Sequence, residues 1–451
     1  MTAPIGALPN APLFTKVSVA GNRLSAKVNP ALYGRYVRDE FFAEYSPEFD
    51  LALLPPSVQI VPALFNIAPV AWLSGMTFEV PELDDAVSET LIRTKAALES
   101  MYPHLDWSGQ INPLRRSPPG PLGGPGHDEG TPTRLALFSG GLDSVCTSLR
   151  HQKHKQLLVS VWGADVALSD EHKWRNVAGW TRDYAARFGH DTAFVRSNLR
   201  SFLNEDYLNN FSDDITNWWG GVQHGLGLTG LTAPLATHLG TAEVLIAASH
   251  STAFHAPWGS HPTIDNHIGW QQTRVAHDGF ELTRMGKLAF CRDYFRNTNS
   301  APALIRVCYA ASSNDGENCC KCEKCLRTMA ALIVLDEDPC RWGFKAPIDE
   351  AMQRIRNGFL NHEFKLGANG VYMWQDIQTW AHEAQSRMDA SRIETSTRLE
   401  LIDWFAQTDF SSWLDQELRP NSGFSRVKRF AKVRFPRITS LLRRLMRGAA
   451  T

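Results

Sequence analysis

The stretch that decides the fold reads Arg134-Leu135-Ala136-Leu137-Phe138-Ser139-Gly140-Gly141-Leu142-Asp143-Ser144. Four apolar residues ahead of a Ser-Gly-Gly turn read as a buried strand, and the residues after the turn open a helix. Glycines at 140 and 141 let the backbone approach an anion. The helix N-terminus adds partial positive charge, and the hydroxyls of Ser139 and Ser144 can donate further bonds. Asp143 inside such a loop would repel phosphate unless a cation bridges the two, so the string predicts a Mg²⁺–pyrophosphate site. The plain alternative is a tight strand–helix turn with Asp143 solvated. The lysine-bearing Walker loop is absent from this position.

Working outward, short apolar runs at 135–138, 157–162, 192–196 and 243–248 predict strands, and amphipathic runs at 145–151, 171–188 and 223–239 predict helices. Strand–helix alternation implies right-handed crossovers and an α/β fold with a doubly wound parallel sheet over residues 134–332. Upstream, the Pro/Gly-rich stretch 113–133 predicts a linker without helix or strand. It would separate a small α+β N-terminal domain, residues 1–112, with strand-like runs at 35–45 and 58–65 and a helix at 84–101. That domain carries no chemical motif. Downstream, 348–359 and 398–417 predict a helical region, residues 333–424, before a basic amphipathic tail, 425–451.

The composition is ordinary for a globular protein, with 43% hydrophobic and 21% charged residues among 451. No apolar run is long enough to span a bilayer and residues 1–10 lack signal-peptide character, so a cytoplasmic protein is expected. The formal net charge of −1 hides an asymmetry. Nine basic and no acidic residues lie between Arg426 and Arg447, which leaves 37 basic against 47 acidic elsewhere. The tail therefore suits an anionic partner, nucleic acid or a membrane surface, or the acidic body of its own chain or of a partner copy. A homodimer is a further expectation.

Five of eight cysteines fall between Cys308 and Cys325. Cys319, Cys322 and Cys325 form two successive Cys-x-x-Cys spacings, and Cys308 can close a Cys₄ site for a structural Zn²⁺. An iron–sulfur cluster is the rival occupant. Lys321, Lys324 and Arg327 would offset the tetrathiolate charge, and Cys320 reads as a spare thiol.

The string Ser139–Ser144 resembles the pyrophosphate loop of the N-type ATP pyrophosphatases, the PP-loop superfamily, which cleave ATP to AMP and pyrophosphate. That resemblance implies an adenine-nucleotide α-hydrolase-like (HUP) sheet and ATP with Mg²⁺. The nucleotide would be bound by Ser139, Gly140, Gly141, Leu142, Asp143 and Ser144. Cys308-Tyr309, the ten-residue gap, the paired Cys-x-x-Cys spacings and Leu326-Arg327 resemble the zinc knuckle of the 7-cyano-7-deazaguanine synthases. The likeness covers residues 134–332, less than half of the chain. Those enzymes turn 7-carboxy-7-deazaguanine into an amide and then a nitrile with ammonia and ATP, so the resemblance implies an ATP-dependent carbon–nitrogen ligase. It further implies that Asp265 contacts the substrate or activating metal, and that Arg284 stabilises charge near the α-phosphate, with Asp143 as the third catalytic residue. Where that family carries an Arg-Asn pair, this chain reads Gln223-His224-Gly225, and the chain is considerably longer.

The acceptor is then a small-molecule carboxylate or a macromolecule, the latter as in deazaguanine-synthase-like antiphage proteins. A PP-loop sulfur transferase and a non-catalytic nucleotide sensor are the other readings. Several flanking features read two ways. Trp218-Trp219-Gly220-Gly221 suits a lid or core packing. Glu171, His172 and Lys173 suit ligand contact or a solvated helix turn. The five histidines from His250 to His277 suit a polar pocket lining or a second metal site.

Overall fold

The computed structural model describes residues 11–120, 130–212, 215, 217–308, 316–361, 363, 364, 366–387, 397–410 and 412. The basic tail, Tyr309 and the end of the helix expected at 398–417 lie outside these residues. The chain opens with β1 (Ala11–Pro12), β2 (Phe14–Ala20), β3 (Arg23–Val28), β4 (Phe41–Glu44), α1 (Pro56–Gln59) and α2 (Val61–Leu73). Then come β5 (Thr77–Asp84), α3 (Asp85–Met101) and β6 (Gln110–Ser117). The expected alternation follows as β7 (Arg134–Leu137), α4 (Leu142–Arg150), β8 (Gln156–Trp162), α5 (Glu171–Phe188) and β9 (Asp191–Ser197). Short helices α6 (Glu205–Leu208), α7 (His224–Gly230) and α8 (Ala233–Leu239) lead to β10 (Glu243–Ala247), α9 (Pro262–Asp265), β11 (Gly269–Trp270) and β12 (Thr273–Asp278). Helices α10 (Arg284–Asn297), α11 (Glu323–Val334), α12 (Ile348–Leu360), α13 (Gly367–Arg387) and α14 (Thr397–Gln407) complete the described chain.

The main sheet has nine strands in the order β11-β12-β10-β7-β8-β9-β4-β3-β2. Its five central strands are parallel, and their order reverses at β7, which sits between β8 and β10. This is doubly wound topology. The crevice at such a switch point, outside the carboxyl ends of the strands, is where α/β sheets bind ligands. Strand alternation buries both faces. Leu135 and Leu137 of β7 and Val244 and Ile246 of β10 enter one core, while Ala136 and Leu245 enter the other. The first core gathers α2 and the N-terminal strands; the second gathers α4, α10, α11, α12, α13 and α14.

The helix expected over 223–239 is broken into α7 and α8, and three further features differ from the sequence expectation. Residues 58–65 are helical, split between α1 and α2, not a strand. All thirteen residues of α2 are buried, and a run that is apolar on every side carries no period to tell helix from strand. Within 35–45 only Phe41–Glu44 is a strand, and β4 pairs antiparallel with β9, so β2, β3 and β4 extend the central sheet. The stretch expected to be a featureless linker begins as a strand: Pro113, Arg115, Arg116 and Ser117 pair with β5. In the order β1-β5-β6 that strand lies at an edge, where the missing amide of Pro113 is tolerated.

Candidate functional site

The loop between β7 and α4 is held in shape by its own hydroxyls and by a strap from residues 305–308. Ser144 Oγ donates to the Gly141 carbonyl at 3.1 Å, and the Gly141 amide donates to Ser139 Oγ at 3.3 Å. The Arg306 amide donates to the Gly140 carbonyl at 2.8 Å, and its Nη2 to the Ser139 carbonyl at 2.7 Å. Gly140 has φ +75°, and a side chain there would run into the Trp180 ring, so two constraints select glycine. Leu142 is fully buried, which limits its part in the loop to its backbone.

Asp143, in the first turn of α4, sits on the floor of a cleft of about 450 Å³, a size typical of small-molecule sites. Its Oδ2 accepts from Arg284 Nη1 at 2.9 Å and its Oδ1 from Lys287 Nζ at 3.3 Å. Burial alone would raise its pKa, but Arg284, Lys287 and Lys324 outweigh it and hold the carboxyl at about 2. Thr283 caps α10 and so sets Arg284 and Lys287 one turn apart on the same face. Asp376 of α13 accepts from the Met285 amide at 3.1 Å and fixes that helix start.

Four cysteines converge beside this floor. The sulfurs of Cys308, Cys319, Cys322 and Cys325 all lie within 4.8 Å of one another, and among the described residues they are the His/Cys/Asp/Glu group able to hold a metal ion such as zinc. A tetrahedral ion with bonds of about 2.3 Å sets its thiolates about 3.8 Å apart. The Cys308–Cys322 and Cys319–Cys325 separations are 3.8 and 3.9 Å. Cys320 is outside the group, its thiol directed at the Asn318 carbonyl. Cys322 is the N-cap of α11, and that helix sends Lys324 and Arg327 into the cleft wall. A metal here would thus fix two cleft cations as well as the strap through Cys308.

Another part of the cleft wall is aromatic. Trp219, His224, His250 and Trp258 line it, with the His250 and Trp258 rings 5.0 Å apart. Trp219–Gln223 forms a π-helical turn that interlocks with residues 258–260: the Gly259 amide donates to the Gly220 carbonyl at 2.8 Å, and the Gly225 amide to the Gly259 carbonyl at 2.9 Å. A Cβ on Gly259 would meet the Val222 backbone at 2.6 Å. Of the tryptophan pair, Trp218 is core, as one of the two sequence readings has it, and Trp219 lies in the cleft wall. Lys173 likewise turns into the cleft while Glu171 and His172 are exposed. Burial pushes the His250 imidazole down to about 4, against the pull of Asp143.

The structure brings Ser139, Gly141, Asp143, Ser144 and Arg284 together at one cleft, with Gly140 shaping its loop. It does not bring Asp265 there. Asp265 is fully buried at the end of α9, where its Oδ2 faces Ser260 Oγ and His277 Nδ1, each at 2.7 Å. The histidines from 250 to 277 do not converge on a metal either: His250 is wall, His261 caps α9 and His277 pairs with Asp265. Sequence reading missed Lys287, although it stands three residues after Arg284 on a helix. It also missed Arg306, Asn369 and Met373; the last two come from α13, whose approach to the cleft leaves no local signature. Compared with protein-family models, with curated proteins and with solved structures, the chain matches none of them.

Proposed function

We propose that the chain is an ATP-dependent carbon–nitrogen ligase: it adenylates a carboxylate, releases pyrophosphate, and joins the activated acyl group to ammonia or an amine, giving an amide or a nitrile. The observation that supports this most is the Ser139–Ser144 loop at the switch point of the sheet, with Asp143 gripped by Arg284 and Lys287 at the cleft floor. A carboxylate is a poor electrophile because its leaving group would be oxide. Adenylation replaces that group with AMP, and fixed cations and loop amides stabilise the charge that develops on the phosphates. Arg284 and Lys324 are the cations that line the cleft, Lys287 backs Asp143 from within the protein, and the amides are those of the loop and of the first turn of α4. Asp143 remains one-fifth exposed between its partners and is the carboxylate that would hold Mg²⁺ against the phosphates, where the ion would supply further charge neutralisation.

The sulfur spacing favours one zinc over an iron–sulfur cluster, whose thiolates stand farther apart around a multi-iron core. A closed tetrathiolate has no open position for substrate, so its role is structural. Sulfur transfer is disfavoured because Cys146, the thiol on the loop helix, is 1% exposed. The aromatic end suits a flat heterocyclic acceptor, and 7-carboxy-7-deazaguanine is the small molecule that the sequence resemblance implies. The purified chain with ATP, Mg²⁺, ammonium and this carboxylate is expected to give the amide or nitrile by mass spectrometry. Product that forms only with cell extract moves the acceptor to another molecule; ATP cleaved to ADP defeats the reading.

A further inference from the structure

The cleft contains a nitrogen that the loop chemistry leaves unused. His224 opens α7, lines the aromatic end, and sits with its ring 5.0 Å from that of Trp219. Its Nδ1 is sealed from solvent and has no hydrogen-bond partner. Asp265 presents a matching vacancy. Its Oδ2 is taken by Ser260 and His277, while Oδ1 is equally buried and unpartnered. Gly225 brings the two elements together: a Cβ there would lie 2.1 Å from Asp265 Oδ1, so this oxygen rests against the first turn of α7. The two orphaned buried polar atoms do not bond each other directly, so they call for a bridging water.

We infer that His224 is the proton acceptor for the nitrogen nucleophile and that Asp265 is the positioning residue behind it, an inference that rests on the ligase reading. The nitrogen lone pair forms the C–N bond, the C–O bond to AMP breaks with its electrons leaving on AMP, and the proton shed by nitrogen passes to His224 Nε2. That nitrogen is the one free to face the cleft, because Nδ1 is turned inward. Through a bridging water Asp265 keeps the ring in the tautomer that presents Nε2 unprotonated. The groups around the imidazole are Asp165, Asp265, His277 and Arg200. Burial, His277 and Arg200 favour its neutral form, which prevails over the two carboxylates, so a proton acceptor is on hand at neutral pH.

The test compares the full-length chain with His224→Gln and Asp265→Asn, using ATP, Mg²⁺, 7-carboxy-7-deazaguanine and ammonium. His224→Gln is expected to keep ATP–pyrophosphate exchange while amide formation falls about 10²–10⁴-fold. Asp265→Asn is expected to move the acid limb of the amide-forming profile to lower pH, because a carboxylate that favours imidazolium is gone. In ¹⁵N-histidine NMR the His224 signal, identified by its loss in His224→Gln, should shift in Asp265→Asn. Amide formation in His224→Gln within a few-fold of wild type, or a His224 signal indifferent to Asp265→Asn, overturns the inference alone. A wild-type chain that performs no exchange overturns the ligase reading, and this role with it.

Discussion

Two parts of the cleft are built by different means. The loop end is a place of charge: Asp143, Arg284, Lys287 and Lys324 meet there, brought by the N-terminal turns of α4, α10 and α11. The aromatic end is a place of shape, where Trp219, His224, His250 and Trp258 are set by glycines that let one backbone segment lie on another. Charge has been placed on helix starts, of which the one carrying Arg284 and Lys287 is capped by Thr283. Shape has been placed on a π-turn and a loop, whose geometry depends on contacts distant in sequence. On the proposed ligase reading, the first arrangement would hold the nucleotide and the second its acceptor.

If the metal cluster organises the charged end, its loss is the heaviest blow available. The purified chain is expected to carry one zinc and no iron by elemental analysis. Cys322→Ser should lose the metal, unfold at a markedly lower denaturant concentration, and lose ATP turnover, because Lys324, Arg327 and the Arg306 strap are anchored through these cysteines. Undiminished turnover without metal would separate the cluster from the charged end.

Gly259→Ala probes the shaped end. The added methyl faces Val222 backbone, which cannot swing aside, so a stability loss of roughly 3 kcal/mol is expected from denaturant titration. Amide formation should suffer more than pyrophosphate release. Equal losses in both steps would mean that the two ends are not independent.

A smaller effect belongs to Asp143. Its folded-state carboxyl, held at about 2, lies below the ordinary value near 3.8. Ion pairing there therefore contributes stability that is present above about pH 4 and lost as the pH falls toward 2. The contribution is roughly 2 kcal/mol, since each tenfold weakening of proton binding on folding is worth about 1.4 kcal/mol. The wild type should lose this increment relative to Asp143→Asn between pH 4 and pH 2, read from unfolding midpoints. An unchanged difference would contradict the ion-pair geometry.

The same division governs what the sequence discloses. The strand, loop and helix from Arg134 to Arg150 and the ligand set of Cys308, Cys319, Cys322 and Cys325 are legible because each depends on residues close together, where spacing alone fixes geometry. Arg284 and Lys287 could be paired by helical spacing. The rest is tertiary. That β4 would dock on β9, or that α13 would deliver Asn369 and Met373 to the cleft, follows from which apolar faces find each other, and no local pattern states it. Asp265 shows the converse: the family resemblance implied direct contact, and the fold buries it against Gly225 at the start of α7.

The central claim is that the charged end holds ATP for cleavage between its α- and β-phosphates. The direct measurement is the fate of α-³²P-ATP with Mg²⁺, ammonium and either 7-carboxy-7-deazaguanine or cell extract, for the wild type and Asp143→Asn. The account predicts labelled AMP from the wild type and a loss of about 10²–10³-fold in the variant, the scale of removing one fixed charge-stabilising group. Labelled ADP, or AMP formed equally well by Asp143→Asn, would contradict it.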